Sequence, residues 1–146
     1  MQKYSNYKGQ MSRLKRAMDH EFLLEALFIE YAIVEDRCES LLLHSGKKVN
    51  PRATLSQKLK EIGKLSNKPD CCMNRYVTPK LIDEISEWSF KRNDFIHHLM
   101  TQRFSKEELE QIVLDGRDIT KTLCSKTTSY KRALEREQKR LEGKIK

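Results

Sequence analysis

The sequence lacks any run of about 20 apolar residues, the length that a membrane-spanning helix requires. Residues 1–16 also lack the apolar core of a secretory signal peptide. Both absences favour a soluble cytoplasmic protein that does not act at a membrane. With 146 residues, the chain is long enough for one domain with its own hydrophobic core.

A metal-binding motif is also absent. The four cysteines are Cys38, Cys71, Cys72 and Cys124. The adjacent pair lacks the two-residue gap of a zinc knuckle, and no matching pair follows it. A zinc site that borrows His20 or His44 is the less favoured alternative. Reduced thiols suit the cytosol, and we predict neither a metal nor a cofactor.

No stretch alternates apolar and polar residues for long enough to predict a strand. Helical spacing and helix-capping signals recur instead. We therefore predict an all-α fold, a bundle of four to five helices with a long first helix and a basic C-terminal helical tail. A basic N-terminal segment is expected over 1–16, the helical domain over 17–125, and a charged helical extension over 126–146.

Capping signals place the first two helices. A long helix, apolar over a wide arc, is expected from about Ala17 to Leu43, and Gly46 lies in the stretch that ends it. Asn50-Pro51 and Thr54 offer two possible starts for a second, shorter helix.

Two further helices follow. Thr78 as the N-cap and Pro79 as the first helical residue start the third helix, which is predicted to run to about Gln102. The capping box formed by Ser105 and Glu108 opens the fourth. Gly116 is a candidate position for a bend or an interruption of this helix. Beyond residue 130 the tail is expected to be helical when bound to a partner and frayed otherwise.

The net charge of +8 is unevenly distributed. Residues 1–16 contain five basic and no acidic residues, and residues 121–146 contain nine basic and three acidic ones. The body of the chain between them is slightly acidic. Basic ends suit phosphate-rich partners, although they also occur as solvated termini. The candidates for RNA contact are Lys91, Lys131, Arg132 and Arg136.

Arg92 occupies an unusual position within the predicted third helix. At about 100° per residue, one face of this helix carries an apolar stripe, and Arg92 falls near its centre. The stripe consists of Leu81, Ile85, Trp88, Phe95, Ile96 and Leu99. A guanidinium on an apolar face is costly unless it is paired or held in a wet cleft. Arg92 therefore requires either an acidic partner, such as Glu30 or Glu35, or a functional site.

His97 follows Arg92 by five residues and lies about 140° around the helix from it. An arginine can hold a phosphate through paired donors, and a histidine can transfer protons near neutral pH. Together they suffice for phosphodiester chemistry without a metal. A 2′-hydroxyl would supply the nucleophile, which favours RNA over DNA. Alternatively, His97 is a surface or interface histidine whose ring bonds to a backbone carbonyl.

The segment RNDFIH at 92–97 resembles the signature of the HEPN family, in which a histidine follows an arginine after four to six residues. Many members carry asparagine directly after the arginine, as this chain does. The resemblance covers about residues 15–125 and extends to the long first helix and to the position of the motif in a later helix. It implies a homodimer in which both copies line one cleft, and a metal-independent endoribonuclease that leaves a 2′,3′-cyclic phosphate.

Carried onto this chain, the resemblance implies that Arg92 binds the scissile phosphate, that His97 acts as general base or acid, and that Asn93 orients the site. It also implies a toxin or anti-phage effector, with RNA and an antitoxin or regulatory protein as partners. Members paired with a nucleotidyltransferase antitoxin commonly carry a tyrosine two residues after the histidine. That position is Leu99 here, so control through such a tyrosine is not implied.

Two other classes of protein remain open from the sequence. One is a non-catalytic HEPN-like module that binds a nucleotide, RNA or a protein. The other is a helical interaction protein that docks on a partner through residues 127–146. Asp94 lies about 160° from Arg92 and is poorly placed to pair with it within one helix, but it could support an arginine across a dimer.

Overall fold

The computed structural model describes residues 2–19, 22–101 and 105–145. They form six α-helices: α1 (Gln2–Asp19), α2 (Leu23–His44), α3 (Leu55–Ser66), α4 (Met73–Tyr76), α5 (Pro79–His97) and α6 (Lys106–Ile145). No strand occurs within these ranges, and the predicted all-α fold is confirmed. None of the helices described combines the length and the apolar character of a membrane span.

The chain divides into two compact units, Met1–Asp36 with Glu84–Lys121, and Arg37–Asp83 with Thr122–Lys146. The first unit is built around buried residues that include Leu14, Ala17, Ala26, Leu27, Ile33, Val34, Ile85, Trp88, Phe95 and Val113. The second is built around Leu41, Leu55, Leu59, Ile62, Met73, Val77, Leu123 and Tyr130. Removing these side chains from water is the main favourable contribution to folding.

The N-terminal part of the chain differs from the expected single long helix. Helix α1 ends at Asp19 and α2 begins at Leu23, so that Ala17 belongs to α1 rather than to the start of the second helix. The amide of Phe22 donates to the carbonyl of Ala17 at 2.7 Å. Because Leu14 and Ala17 are buried, the basic segment contributes a helix to the core of the first unit.

The ends of α2 and α3 follow the capping signals. Helix α2 ends at His44, and Gly46 then adopts a φ of 80°, a conformation that glycine reaches without strain. Thr54 and Gln57 form a reciprocal capping box at the start of α3: the Thr54 hydroxyl accepts from the Gln57 amide at 3.2 Å, and the Gln57 side chain accepts from the Thr54 amide at 2.9 Å. The end of α2 was predicted, and of the two starts offered for α3 the structure uses Thr54 rather than Asn50-Pro51.

Helix α5 begins as predicted and ends earlier. The Thr78 hydroxyl accepts from the amide of Leu81 at 3.2 Å, as an N-cap does. The helix ends at His97 and is followed by a short 3-10 turn over Leu99–Thr101, whereas the expected end at Gln102 lies outside the described residues. Leu99 is consequently 41% exposed and not part of the core, contrary to the predicted stripe.

Helix α6 is one continuous helix of 40 residues. It passes through Gly116, where a bend was considered, and through residue 126, where the charged extension was expected to begin. Thr127 and Tyr130 are buried. The hydroxyl groups of Tyr130 and Ser45 lie 2.6 Å apart, so that a hydrogen bond joins α6 to the end of α2 within the second unit.

Candidate nucleic-acid site

Helix α5 places Arg92 against two aromatic rings of α2. The guanidinium carbon of Arg92 lies 4.0 Å from the centroid of the Tyr31 ring and 5.3 Å from that of Phe28. Both distances are within the range of cation–π attraction, about 6 Å. Phe28 and Tyr31 are three residues apart and therefore share a face of α2. The aromatic rings explain how an arginine is tolerated on the apolar side of α5.

The polar atoms of Arg92 are only partly satisfied. Its Nη1 donates to the side-chain oxygen of Asn93 at 2.9 Å, while its Nε is buried and has no acceptor among the described residues. Burial lowers the pKa of Arg92, and the nearby Tyr31 and Glu35 oppose that shift. An arginine nevertheless remains charged in a protein. A cation with unused donors is therefore held at a half-buried position.

The alternative of a buried ion pair is not what the structure shows. Neither Glu30 nor Glu35 forms an ion pair with Arg92 in the described part of the chain. Glu35 lies close enough to raise the pKa of Tyr31, which burial raises more strongly. Glu30 is fully buried elsewhere, and neither of its carboxyl oxygens has a hydrogen-bond partner within the described ranges. The direct contacts of Arg92 on α2 are aromatic rings, and Glu35 acts on its charge without forming an ion pair.

His97 is the last residue of α5, and its side chain is exposed. Its ring approaches that of His98 edge-on, with 6.4 Å between the centroids. The backbone-carbonyl bond considered for His97 is instead made by His98, whose Nδ1 lies 2.9 Å from the carbonyl oxygen of Asp94. The Asp94 carboxylate lies 3.2 Å from the same nitrogen. Both neighbours are acceptors, so hydrogen bonds to them form in the tautomer that carries a proton on Nδ1 of His98.

The structure therefore brings together only part of the predicted site. Arg92 and Asn93 are in direct contact, whereas His97 lies about 140° around α5 and about 7.5 Å along its axis from Arg92. No hydrogen bond joins Arg92 to His97 in the residues described. One chain therefore presents Arg92 and His97, the two groups predicted to act together, on different sides of the same helix.

The expected RNA-contacting lysines and arginines fall in different places. Lys91 is exposed and forms an ion pair with Glu87, with 3.4 Å between nitrogen and oxygen. Lys131 and Arg132 are exposed on α6. Arg136, also on α6, lines a cavity in the second unit.

A basic groove lies between α1 and α6 within the first unit. Its cavity has a volume of about 520 Å³ and a largely apolar lining that includes Met11, Leu14 and Met18. The basic residues that line it are Lys8, Lys15, Arg117 and Lys121, and none of the described lining residues is acidic. Two of these, Lys8 and Lys15, belong to the basic N-terminal segment whose charge suggested a phosphate-rich partner.

Two features of this region were missed by sequence reasoning. The rings of Phe28 and Tyr31 were not assigned to the site. The signal was the wide apolar arc of α2, which indicates that more than one face of this helix packs against neighbours. The burial of Glu30 was also missed; its place directly after Leu27, Phe28 and Ile29 in the sequence is the signal. Among the described residues, no three histidine, cysteine or acidic side chains are placed to hold a metal ion, and His20 lies outside them.

Comparison with known proteins yields no relative: no protein-family model, no curated protein and no solved structure matches this chain.

Proposed function

We propose that this protein is a metal-independent endoribonuclease of the HEPN type, acting in the cytoplasm as a homodimer. The observation that supports the proposal most directly is the half-buried Arg92, held by two aromatic rings and by Asn93 with donors unused. An arginine so positioned is prepared to bind a phosphate. The exposed His97 on the same helix supplies the proton-transfer group that cleavage needs.

In the proposed reaction, the 2′-hydroxyl of the RNA attacks the adjacent phosphorus. A base removes the hydroxyl proton, and the bond from phosphorus to the 5′-oxygen breaks. An acid protonates that leaving oxygen, and a 2′,3′-cyclic phosphate remains. His97 transfers a proton in one or both of these steps, while Arg92 offsets the negative charge that develops on the phosphoryl oxygens. Asn93 fixes the orientation of the guanidinium through the 2.9 Å hydrogen bond.

The need for two chains follows from the separation of Arg92 and His97 around α5. A phosphate bound by Arg92 of one copy is proposed to meet His97 of the other. The exposed aromatic side chains of the first unit, Phe28 at 55% and Phe90 at 72% exposure, provide apolar area for such a contact. The groove with Lys8, Lys15, Arg117 and Lys121 provides positive charge for an RNA strand.

The test is RNA cleavage in the presence of EDTA by the wild type, by Arg92→Ala, by His97→Ala, and by a mixture of the two variants refolded together. The wild type is expected to cleave and each variant alone to be inactive. Half of the chains in a random mixture pair as heterodimers, each with one intact composite site of two, so that about a quarter of the wild-type activity should return. Absence of cleavage by the wild type would refute the proposal, and an inactive mixture would refute the composite site.

The biological role that we propose is that of a toxin or anti-phage effector restrained by an antitoxin or another regulatory protein. Expression in a bacterial host should stop growth in the wild type and not in His97→Ala. A toxic effect that persists in His97→Ala would separate toxicity from RNA cleavage.

The second candidate is a non-catalytic HEPN-like module that binds a nucleotide, RNA or a protein. The cation–π contacts that Arg92 makes with Tyr31 and Phe28 favour this candidate. An arginine held by aromatic rings can form part of a docking surface without taking part in catalysis. RNA binding that weakens steeply with salt, without turnover, would support it.

A further inference from the structure

The second unit contains a cavity of about 480 Å³ that the proposed ribonuclease does not use. It lies between the segment around α4 and the C-terminal part of α6, and its lining is mainly polar. Three arginines contribute to it: Arg75 from α4, and Arg136 and Arg140 from α6. The latter two are four residues apart and therefore neighbours on one face of the helix. Ala133, one turn before Arg136, leaves space beside them.

None of the three arginines is neutralised by a carboxylate in the described residues. Asp70 and Glu137 also line the cavity, but neither forms an ion pair with Arg75, Arg136 or Arg140. The lining therefore offers three guanidinium groups and two acceptors, with a net charge of +1. The five N–H donors of each guanidinium are arranged in a planar fork that matches phosphate oxygens.

The size and the mixed polarity of the cavity restrict what it can hold. Its volume falls within the range of about 300–1,000 Å³ that small-ligand sites have. Two linked phosphoryl groups offer enough oxygens for three guanidinium groups, which a single carboxylate does not. Asp70 and Glu137 would accept hydrogen bonds from hydroxyl groups in the body of the ligand. The half-buried ring of Tyr76 adds an aromatic surface.

We propose that this cavity binds the diphosphate group of a small phosphate ester, with Arg75, Arg136 and Arg140 on the phosphoryl oxygens and with Asp70 and Glu137 facing the hydroxyl groups of the ester. The lining includes neither Arg92 nor His97, and the proposal is tested independently of RNA cleavage.

Two cysteines give the proposal a direct readout. Cys71 and Cys72 are half-buried and line the same cavity, whereas Cys38 and Cys124 are buried. A ligand in the cavity would cover Cys71 and Cys72 without affecting the other two. Alkylation of the full chain by iodoacetamide, followed by peptide mass spectrometry, therefore reports occupancy of this site in the wild-type protein.

The experiment is calorimetric titration of the full chain with ADP, UDP, inorganic pyrophosphate and adenosine, together with the alkylation assay for each. We expect ADP or UDP to bind and to slow alkylation of Cys71 and Cys72, and adenosine to do neither. If pyrophosphate binds as well, the diphosphate group is sufficient for binding. If only the esters bind, the rest of the ester also contributes to binding. If none of the three phosphate compounds binds, the proposal is overturned.

Paired variants separate a built site from general attraction. Arg136→Gln with Arg140→Gln should weaken binding at least about tenfold, the effect of losing one charge-assisted hydrogen bond. Lys131→Gln with Arg132→Gln removes the same charge from the same helix outside the cavity and should change affinity less than about twofold. Equal losses of affinity in both pairs of variants would overturn the proposal. It would also be overturned if a single-stranded RNA oligonucleotide protected Cys71 and Cys72 from alkylation and none of the small diphosphates did.

Discussion

The carboxyl group of Glu30 lies against Gly116, in the space that a side chain at position 116 would need. A Cβ atom at Gly116 would lie 2.7 Å from a ring carbon of Trp88 and 2.8 Å from the carboxyl carbon of Glu30. Distances below 3.0 Å are not tolerated without a shift of the neighbours. The glycine in the interior of α6 is therefore explained by close packing between α2, α5 and α6 in the first unit, rather than by a bend in the helix.

We expect Gly116→Ala to destabilise the protein. Alanine normally improves a helix interior by about 1 kcal/mol relative to glycine, but here the added methyl group meets two buried side chains, at a cost of about 1–3 kcal/mol. Urea denaturation should show a lower free energy of unfolding. Gly63→Ala in α3 is the matched control, because a Cβ there meets nothing within 4 Å, and it should stabilise the protein. If both changes stabilise, Gly116 is not required for packing.

The stability of the protein should fall as pH rises between about 4.5 and 9. Burial raises the pKa of Glu30 from 4.5 to about 9, against the opposing charge of Arg117. Between these values the folded state holds a proton that the unfolded state releases, so that folding becomes less favourable with increasing pH. The contribution is complete below pH 4.5 and is lost as pH passes 9. Thermal unfolding measured across this range should reveal the slope.

Glu30→Gln should remove that slope, because an amide stays neutral at every pH. The melting temperature of this variant should exceed that of the wild type by at least about 3 °C at pH 8, and the difference should disappear as pH falls below 4.5. Glu135→Gln, at an exposed position of α6, is the control and should keep the pH dependence of the wild type. An unchanged slope in Glu30→Gln would show that another group is responsible.

Arg92 and Tyr31 should be energetically coupled. In a double-mutant cycle with Tyr31→Leu and Arg92→Gln, we expect a coupling free energy of about 1 kcal/mol, as for other partly desolvated cation–π contacts. Tyr31→Phe retains the ring and should behave like the wild type. The parallel cycle with Lys91→Gln should show no coupling, because Lys91 pairs with Glu87 instead. Equal coupling free energies in the two cycles would mean that the contact between Arg92 and Tyr31 makes no specific contribution to stability.

The two adjacent histidines should differ sharply in their effect on RNA cleavage. His97→Ala removes the proposed proton-transfer group and should lower the cleavage rate by about 10²–10⁴-fold. His98→Ala removes a ring that is bonded to Asp94 and should lower the rate by less than about tenfold. The measurement is the single-turnover rate as a function of pH. A larger loss of cleavage rate in His98→Ala than in His97→Ala would identify His98, and not His97, as the proton-transfer group.

Local signals in the sequence predicted several helix boundaries. The N-caps Thr54 and Thr78 and the glycine at 46 act within a few residues, and the structure forms each of them as expected. The apolar stripe of α5 was also predicted correctly at Leu81, Ile85, Trp88 and Phe95, because a 3.6-residue repeat marks the buried face of a helix.

Features that depend on tertiary contact could not be predicted. No glycine or proline follows Asp19 to mark the end of α1 in the sequence, and the single turn of α4 is too short to produce a periodic pattern. Helix α6 continues far beyond residue 126 because Thr127 and Tyr130 are buried, which a sequence rich in charge does not reveal. The aromatic rings that hold Arg92 come from a helix about 60 residues earlier in the chain.

For the proposed two-chain site, the separation of Arg92 and His97 by about 140° around α5 has a kinetic consequence. In a site that two chains must complete, the rate of cleavage rises with the square of the protein concentration until dimers predominate. A cell that contains few copies would be protected by dilution alone, and a modest rise in synthesis would produce a disproportionate rise in RNA damage. Abundance of the chain would then act as the switch, before any inhibitor is considered.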